Sequence, residues 1–190
     1  MSTMRIQVVV ASMLFGLSMP AFGGPVSIQP SPMTVTLGQT FSVNVAVSNM
    51  TDLYAFEFDL GFNSLVLNAT GITEGAFLPL GGPTFFLPGT IDNTFGTITF
   101  NADTLMGPVS GVSGSGVLAV VTFQAVAAGS SAININNPLF LDSAGASISV
   151  AAQSGSVTVL SPEPCSALLL FVGLLGCAAV GRKSGGARAT

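Results

Sequence analysis

Histidine and tryptophan are absent from the 190-residue chain, tyrosine occurs once, and lysine and arginine together number four. Without histidine there is no imidazole base, no histidine-containing triad and no histidine-ligated zinc site. Charged residues make up 6% of the chain, against about a quarter in an ordinary globular protein. All four basic residues lie near the ends, as Arg5, Arg182, Lys183 and Arg188. Between Gly24 and Ser161 the only formal charges are Asp52, Glu57, Asp59, Glu74, Asp92, Asp103 and Asp142. A segment with no cation cannot neutralise phosphates, which excludes nucleic acid as a partner; a cationic partner or a divalent metal is compatible. The two cysteines, Cys165 and Cys177, fall in the last thirty residues or so, leaving the middle without a disulfide framework, a thiol nucleophile or a phosphate-loop lysine.

What is present is hydrophobicity, at 49% of residues, and part of it is gathered at the two ends. Residues 1–23 read as a secretory signal peptide. Arg5 precedes an apolar run over 6–19, Pro20 breaks it, and the small residues Ala21 and Gly23 predict cleavage ahead of Gly24. At the other end, Pro162-Glu163-Pro164 is followed by an apolar run over 167–180 and a basic end over 182–188. As a helix that run covers about 21 Å at ~1.5 Å per residue, short of the ~30 Å hydrocarbon layer. Snorkelling of Arg182 and Lys183 makes up part of the difference, and these cations hold their own side of the span in the cytoplasm.

This order of Pro162-Glu163-Pro164, short apolar helix and terminal basic cluster resembles the PEP-CTERM sorting signal of Gram-negative bacteria. The resemblance implies an exosortase-type membrane protease as partner, an inner-membrane intermediate with the tail as a transmembrane helix, and transfer to the cell surface or exterior, often alongside exopolysaccharide. Sorting residues are then Pro162, Glu163, Pro164, Arg182 and Lys183. A plain single-span anchor is the alternative.

The segment 24–161 reads as one all-β domain, large enough to bury a core without cross-links. Phe41, Val43, Val45 and Val47 alternate with Ser42, Asn44 and Ser48, and Tyr54, Phe56, Phe58 and Leu60 alternate with Glu57 and Asp59. Further strands are expected over 97–101, 117–126, 132–135, 146–151 and 156–160, with no helix of any length. The run 117–123 is apolar at every position but Thr122, which predicts a central strand covered on both faces. The break in pattern over 71–89, with Phe77, Phe85 and Phe86 among glycines and prolines, predicts a long connection closing one end of the molecule. The expected architecture is two packed antiparallel sheets.

The segments Val35-Thr36-Leu37-Gly38-Gln39-Thr40-Phe41-Ser42-Val43, Tyr54-Ala55-Phe56-Glu57-Phe58-Asp59-Leu60 and Ser113-Gly114-Ser115-Gly116-Val117-Leu118-Ala119 are similar to those of the cohesin-like family and its carbohydrate-binding-module relatives. That resemblance implies a nine-stranded jelly-roll sandwich. Cohesins proper bind dockerins, and no dockerin-contact surface is identifiable here.

Candidate chemistry is sparse. Glu57 and Asp59 share one face of one strand, whereas a glycosidase pair flanks the scissile bond from opposite sides. The expectation is therefore no catalytic residue and no enzyme. Asp52, Asp59, Asp92, Asp103 and Asp142, with Asn93, Asn101 and Asn137 nearby, are oxygen donors suited to calcium, or ordinary turn formers. Phe85 and Phe86 are available for sugar stacking or for closing the sandwich. The reading is an exported noncatalytic surface or matrix protein whose β domain serves adhesion or protein interaction, with polysaccharide binding as the alternative.

Overall fold

The computed structural model describes residues 23–161. The expected signal helix, with Ala21, and the expected membrane-crossing tail, with Pro162, Glu163, Pro164, Arg182 and Lys183, lie outside the described residues. Among those described, no helix is long and apolar enough to cross a membrane.

Ten strands follow in order: β1 Val26–Gln29, β2 Met33–Thr36, β3 Thr40–Gly61, β4 Leu67–Glu74, β5 Thr90–Asp92, β6 Thr97–Thr104, β7 Val112–Ala125, β8 Gly129–Asp142, β9 Ala152–Gln153 and β10 Gly155–Leu160. The 22-residue β3 organises them, because it serves two layers. Its first half pairs with β1 and β7, and β7 pairs in turn with β4. Its second half lies between β6 and β8. The strand turns from one layer into the other at Asn49 and Asp52, whose φ angles of 53° and 56° are left-handed. Asparagine and aspartate tolerate that region better than other side chains do, so the sequence marks the corner.

Alternation along each half of β3 points Val43, Val45 and Val47, and then Phe56, Phe58 and Leu60, into one shared core. Phe58, Phe123 and Phe140 are fully buried there. Each contributes roughly 1.5–3 kcal/mol by leaving water. Phe56 stacks on both Phe58 and Phe140, while Phe123 stacks on Phe41 and meets Phe62 edge-on.

Four expectations need adjustment. The sheets are not wholly antiparallel, because β1 pairs with β9 and β2 with β10 in parallel. The second face of β7 is half covered: Val117, Val120 and Thr122 are partly exposed. Part of the two-faced apolar pattern comes from a bulge, and Val117 and Val120 are apolar residues on the half-covered face. Val45 pairs with Ala119 and Ala46 with Val117, so Leu118 is an extra residue and the inward phase shifts by one beside it. No strand forms over 146–151; there the backbone divides its bonds, with Ile148 donating to Phe140 and Ser149 and Ala151 accepting from Gly23 and Val26. A ladder cannot grow where pairing alternates between two neighbours. Finally, the connection contains one short helical turn, the 3₁₀ segment Leu78–Gly81.

That connection begins after β4 and does close one end. Phe77 and Leu78 are buried, and Phe77 fits over Gly116, where a Cβ would stand 2.6 Å from its ring. Residues 83–89 then run along the free edge of β6, bridging Thr84 to Leu105 and Leu87 to Ala102. An otherwise open sheet edge is thereby covered.

Candidate functional site

The outer face of the β8–β3–β6 layer is built from the residues that alternate with the core. Ala55 lies between Leu141 and Thr104 in register, and Glu57 lies between Leu139 and Ala102. The strap over 83–89 extends both rows: Phe85 donates its backbone N–H to Thr104 at 2.8 Å, and Leu87 bridges to Ala102. Together they line a shallow depression of about 190 Å³ whose walls are Leu139, Leu141, Phe85 and Leu87, with Glu57 as its outward carboxylate. Leu139 is 43% exposed and Phe85 56%, which is unusual for large apolar side chains on two walls of one depression. Small-molecule sites are deeper, at about 300–1,000 Å³.

The two phenylalanines of the strap have separate fates. Phe86 packs against the core, while Phe85 stands on the outer face. Tyr54 does not join that face, because its hydroxyl donates to the Gly107 carbonyl at 2.6 Å and its ring packs against the core.

Of the five aspartates suited to calcium, four are occupied with local donors. Asp52 accepts from the Gly111 N–H at 2.7 Å, the Ser143 hydroxyl at 2.6 Å and the Ser143 N–H at 3.3 Å. The Ser143 hydroxyl is the main reason its carboxyl is held below the ordinary carboxylate value; burial opposes this, and the two amides add to it. Asp59 accepts from the Phe100 N–H and the Asn137 amide. Asp92 accepts from the N–H groups of Thr94 and Phe95, and Asp142 from those of Ala144 and Ala146. These are turn and loop ties rather than a shared site, and among the described residues no three His, Cys, Asp or Glu side chains converge. Glu57 and Asp59 do share a strand face as expected, but Asp59 is spent on those two donors.

Asp103 differs. It is 2% exposed, and neither carboxylate oxygen completes a hydrogen bond. Burial pushes its carboxyl up to about 7, and the charge of Glu74 adds to the rise. Asn101, two positions back on β6 and fully buried, donates to the Leu87 carbonyl at 3.3 Å but leaves its own Oδ1 unpaired. Glu74 comes from the last residue of β4 and accepts from the Thr84 hydroxyl at 2.5 Å. Sequence reasoning weighed Asp103 as one of five aspartate donors with Asn101 nearby, and not with Glu74. The missing member, Glu74, sits on a strand distant in sequence, and no spacing rule links the two.

The family model for the cohesin domain matches residues 28–159. Among curated proteins, Cellulose-binding protein A of Clostridium cellulovorans is 27% identical over 172 residues, covering 83% of this chain and 9% of that protein. The chain thus spans under a tenth of that relative's length. The seventh ScaB type I cohesin of Pseudobacteroides cellulosolvens superposes with a TM-score of 0.59 at 18% identity, covering 75% of this chain and 95% of the other. The sixth cohesin of scaffoldin B from Acetivibrio cellulolyticus, solved in complex with a Cel5 dockerin variant, gives 0.57 at 16% identity, covering 73% and 99%. Cohesin domains are noncatalytic interaction modules, in keeping with the absence of candidate catalytic chemistry in the sequence. By the family match over most of its length, the chain belongs to the cohesin family.

Proposed function

We propose that this chain is an exported interaction module that holds a protein partner, a dockerin or a module of that kind, against the outer face of β8–β3–β6. The observation that carries the reading is the shallow apolar depression with a single outward carboxylate, Glu57. A broad, shallow apolar surface suits a protein, which spreads contacts over area, better than a small ligand. A domain with no cation of its own leaves Glu57 to attract a lysine or arginine brought by the partner. The polysaccharide alternative draws no support from this face, which has neither tryptophan nor tyrosine.

The experiment is surface plasmon resonance against immobilised dockerin modules, with Leu139→Asp as the variant. Its side chain already faces water, so the fold tolerates the change, while a charge in the middle of an apolar contact lowers affinity by at least about tenfold. Failure of the wild type to bind any dockerin module, or full binding by the variant, refutes the assignment of partner or face.

The export reading includes PEP-CTERM-type sorting. Supporting it, the chain leaves the described domain at the end opposite Gly23, where Leu37, Leu65, Phe95, Val126 and Leu160 are all exposed. Backbone bonds from Leu37 to Leu160 and from Val126 to Val66 hold several of these together at that end. An apolar end next to an apolar tail suits a domain presented close to a membrane before release. Glu163→Gln in the source bacterium should leave export intact and make the uncut form accumulate in the inner membrane. Mature wild-type protein that still carries Arg182 and Lys183 would refute the sorting reading and leave a plain anchor.

A further inference from the structure

Seven carboxylates occupy a domain with no lysine, arginine or histidine between Gly24 and Ser161. Six of them reach solvent or hydrogen-bond donors, Glu74 among them through the Thr84 hydroxyl. Asp103 does neither: it lies beside Glu74 beneath the strap formed by residues 83–89, and its oxygens and the Oδ1 of Asn101 are buried and unpaired. A buried carboxylate persists only with a compensating charge or donors, and the protein supplies no cation. The compensating species must therefore come from outside.

From this arrangement we propose that Asp103, Glu74 and Asn101 form a calcium site that ties the strap to the ends of β4 and β6. The donor set is oxygen only: two carboxylates, one amide carbonyl and, beside Glu74, the Thr84 hydroxyl. This is the set that hard divalent cations take, with water completing the six to eight ligands usual for calcium. Magnesium is the poorer fit because it demands rigid octahedral geometry and gives up its own water reluctantly. A proton shared between the two carboxyls competes for the same place. It pairs one oxygen of each, however, and leaves the Asn101 Oδ1 and the second Asp103 oxygen unpaired. The three donor-bearing segments are β4, β6 and the strap. The strap also supplies Phe85 and Leu87 to the outer face, so the ion would stiffen that wall of the depression from behind.

The test is isothermal titration calorimetry of the full chain, stripped with chelator, against calcium chloride and separately magnesium chloride, with melting curves under each condition. The expected result is one calcium per chain, a rise in melting temperature with calcium, and at least tenfold weaker binding by both Asp103→Asn and Glu74→Gln. Asp142→Asn, which alters a turn elsewhere, should bind as the wild type does. Absence of calcium heat and of any melting shift in the wild type overturns the proposal and assigns the pair to a shared proton. Unchanged binding by Glu74→Gln, the half-exposed and structurally milder variant, overturns the location even if Asp103→Asn fails to fold.

Discussion

Replacing Asp52 with asparagine removes a charge at the corner where β3 passes from one layer to the other. The carboxylate gathers three donors from two other segments: the Gly111 N–H, the Ser143 hydroxyl and the Ser143 N–H. A hydrogen bond to a charged group is worth about 1.5–3 kcal/mol when sheltered, and less here because the Ser143 contacts face solvent. Asparagine keeps the shape, one acceptor oxygen and the tolerance for a left-handed backbone, so the expected loss is about 1 kcal/mol at pH 7, or about 4 °C in melting temperature. Alanine gives up every acceptor and strains the φ of 56° as well, adding about 1–2 kcal/mol. The sign of the pH dependence follows from the depressed carboxyl. A group whose folded value lies below its unfolded value of 3.8 stabilises the fold above that value and loses the contribution as pH falls through the folded one. Thermal melts of wild type and Asp52→Asn at pH 7 and pH 2 should therefore show a gap that closes in acid. An equal gap at both pH values, or none at pH 7, refutes the reasoning.

Other perturbations test the core and the strap. Phe123→Ala, at a fully buried ring in contact with Phe41 and Phe62, should cost about 3–5 kcal/mol in urea unfolding. Gly116→Ala places a Cβ 2.6 Å from the Phe77 ring and should cost about 1–3 kcal/mol through overpacking, while Phe77→Leu in the same background should restore part of it.

The alternating strands were legible because period two survives wherever one face is wet. In β3 the buried series Val43, Val45, Val47 and then Phe56, Phe58, Leu60 is the series that alternation selects. What alternation could not reveal is the single strand running through both layers. The sequence from Phe41 to Leu60 shows two patterned stretches with an Asn-Met-Thr-Asp break, and such a break is equally compatible with a hairpin. Long-range pairing decides it, since β7 continues alongside past the break to Met50 and Leu53. The same limit hid the bulge at Leu118 and the edge role of the strap, both of which depend on which strand lies alongside. The outer face was half visible: Glu57 was noticed with Asp59 and Phe85 with Phe86, but nothing local places Glu57 and Phe85 a few strands apart on one surface.

The distribution of charge also separates the carboxylates by role. In a domain with counter-charges, an aspartate on a surface turn and one on a binding face are hard to tell apart, because either can end in a salt bridge. Here no salt bridge within residues 24–161 is available to any carboxylate, so each must reveal what holds it. Asp52, Asp59, Asp92 and Asp142 are held by amides and hydroxyls, which fixes them as conformational ties; removing one loosens a loop and should leave partner binding intact if the loop refolds. Among the described residues Glu57 has no such donor, and it points outward from an apolar depression, the placement of a group that waits for a cation carried by something else. Asp103 is buried beside the partly exposed Glu74, where a shared proton or a small external cation is the available partner. The proposed partner lies in front of β6 and the proposed ion at its inward-facing side chains, with Asp103 also bordering the depression. Because the strap contributes Phe85 and Leu87 to the front and Thr84 to the back, occupancy behind should be felt in front. Partner affinity measured with and without calcium should differ for the wild type and coincide for Glu74→Gln; equal calcium dependence in both would separate the two sites and leave the strap without a coupling role.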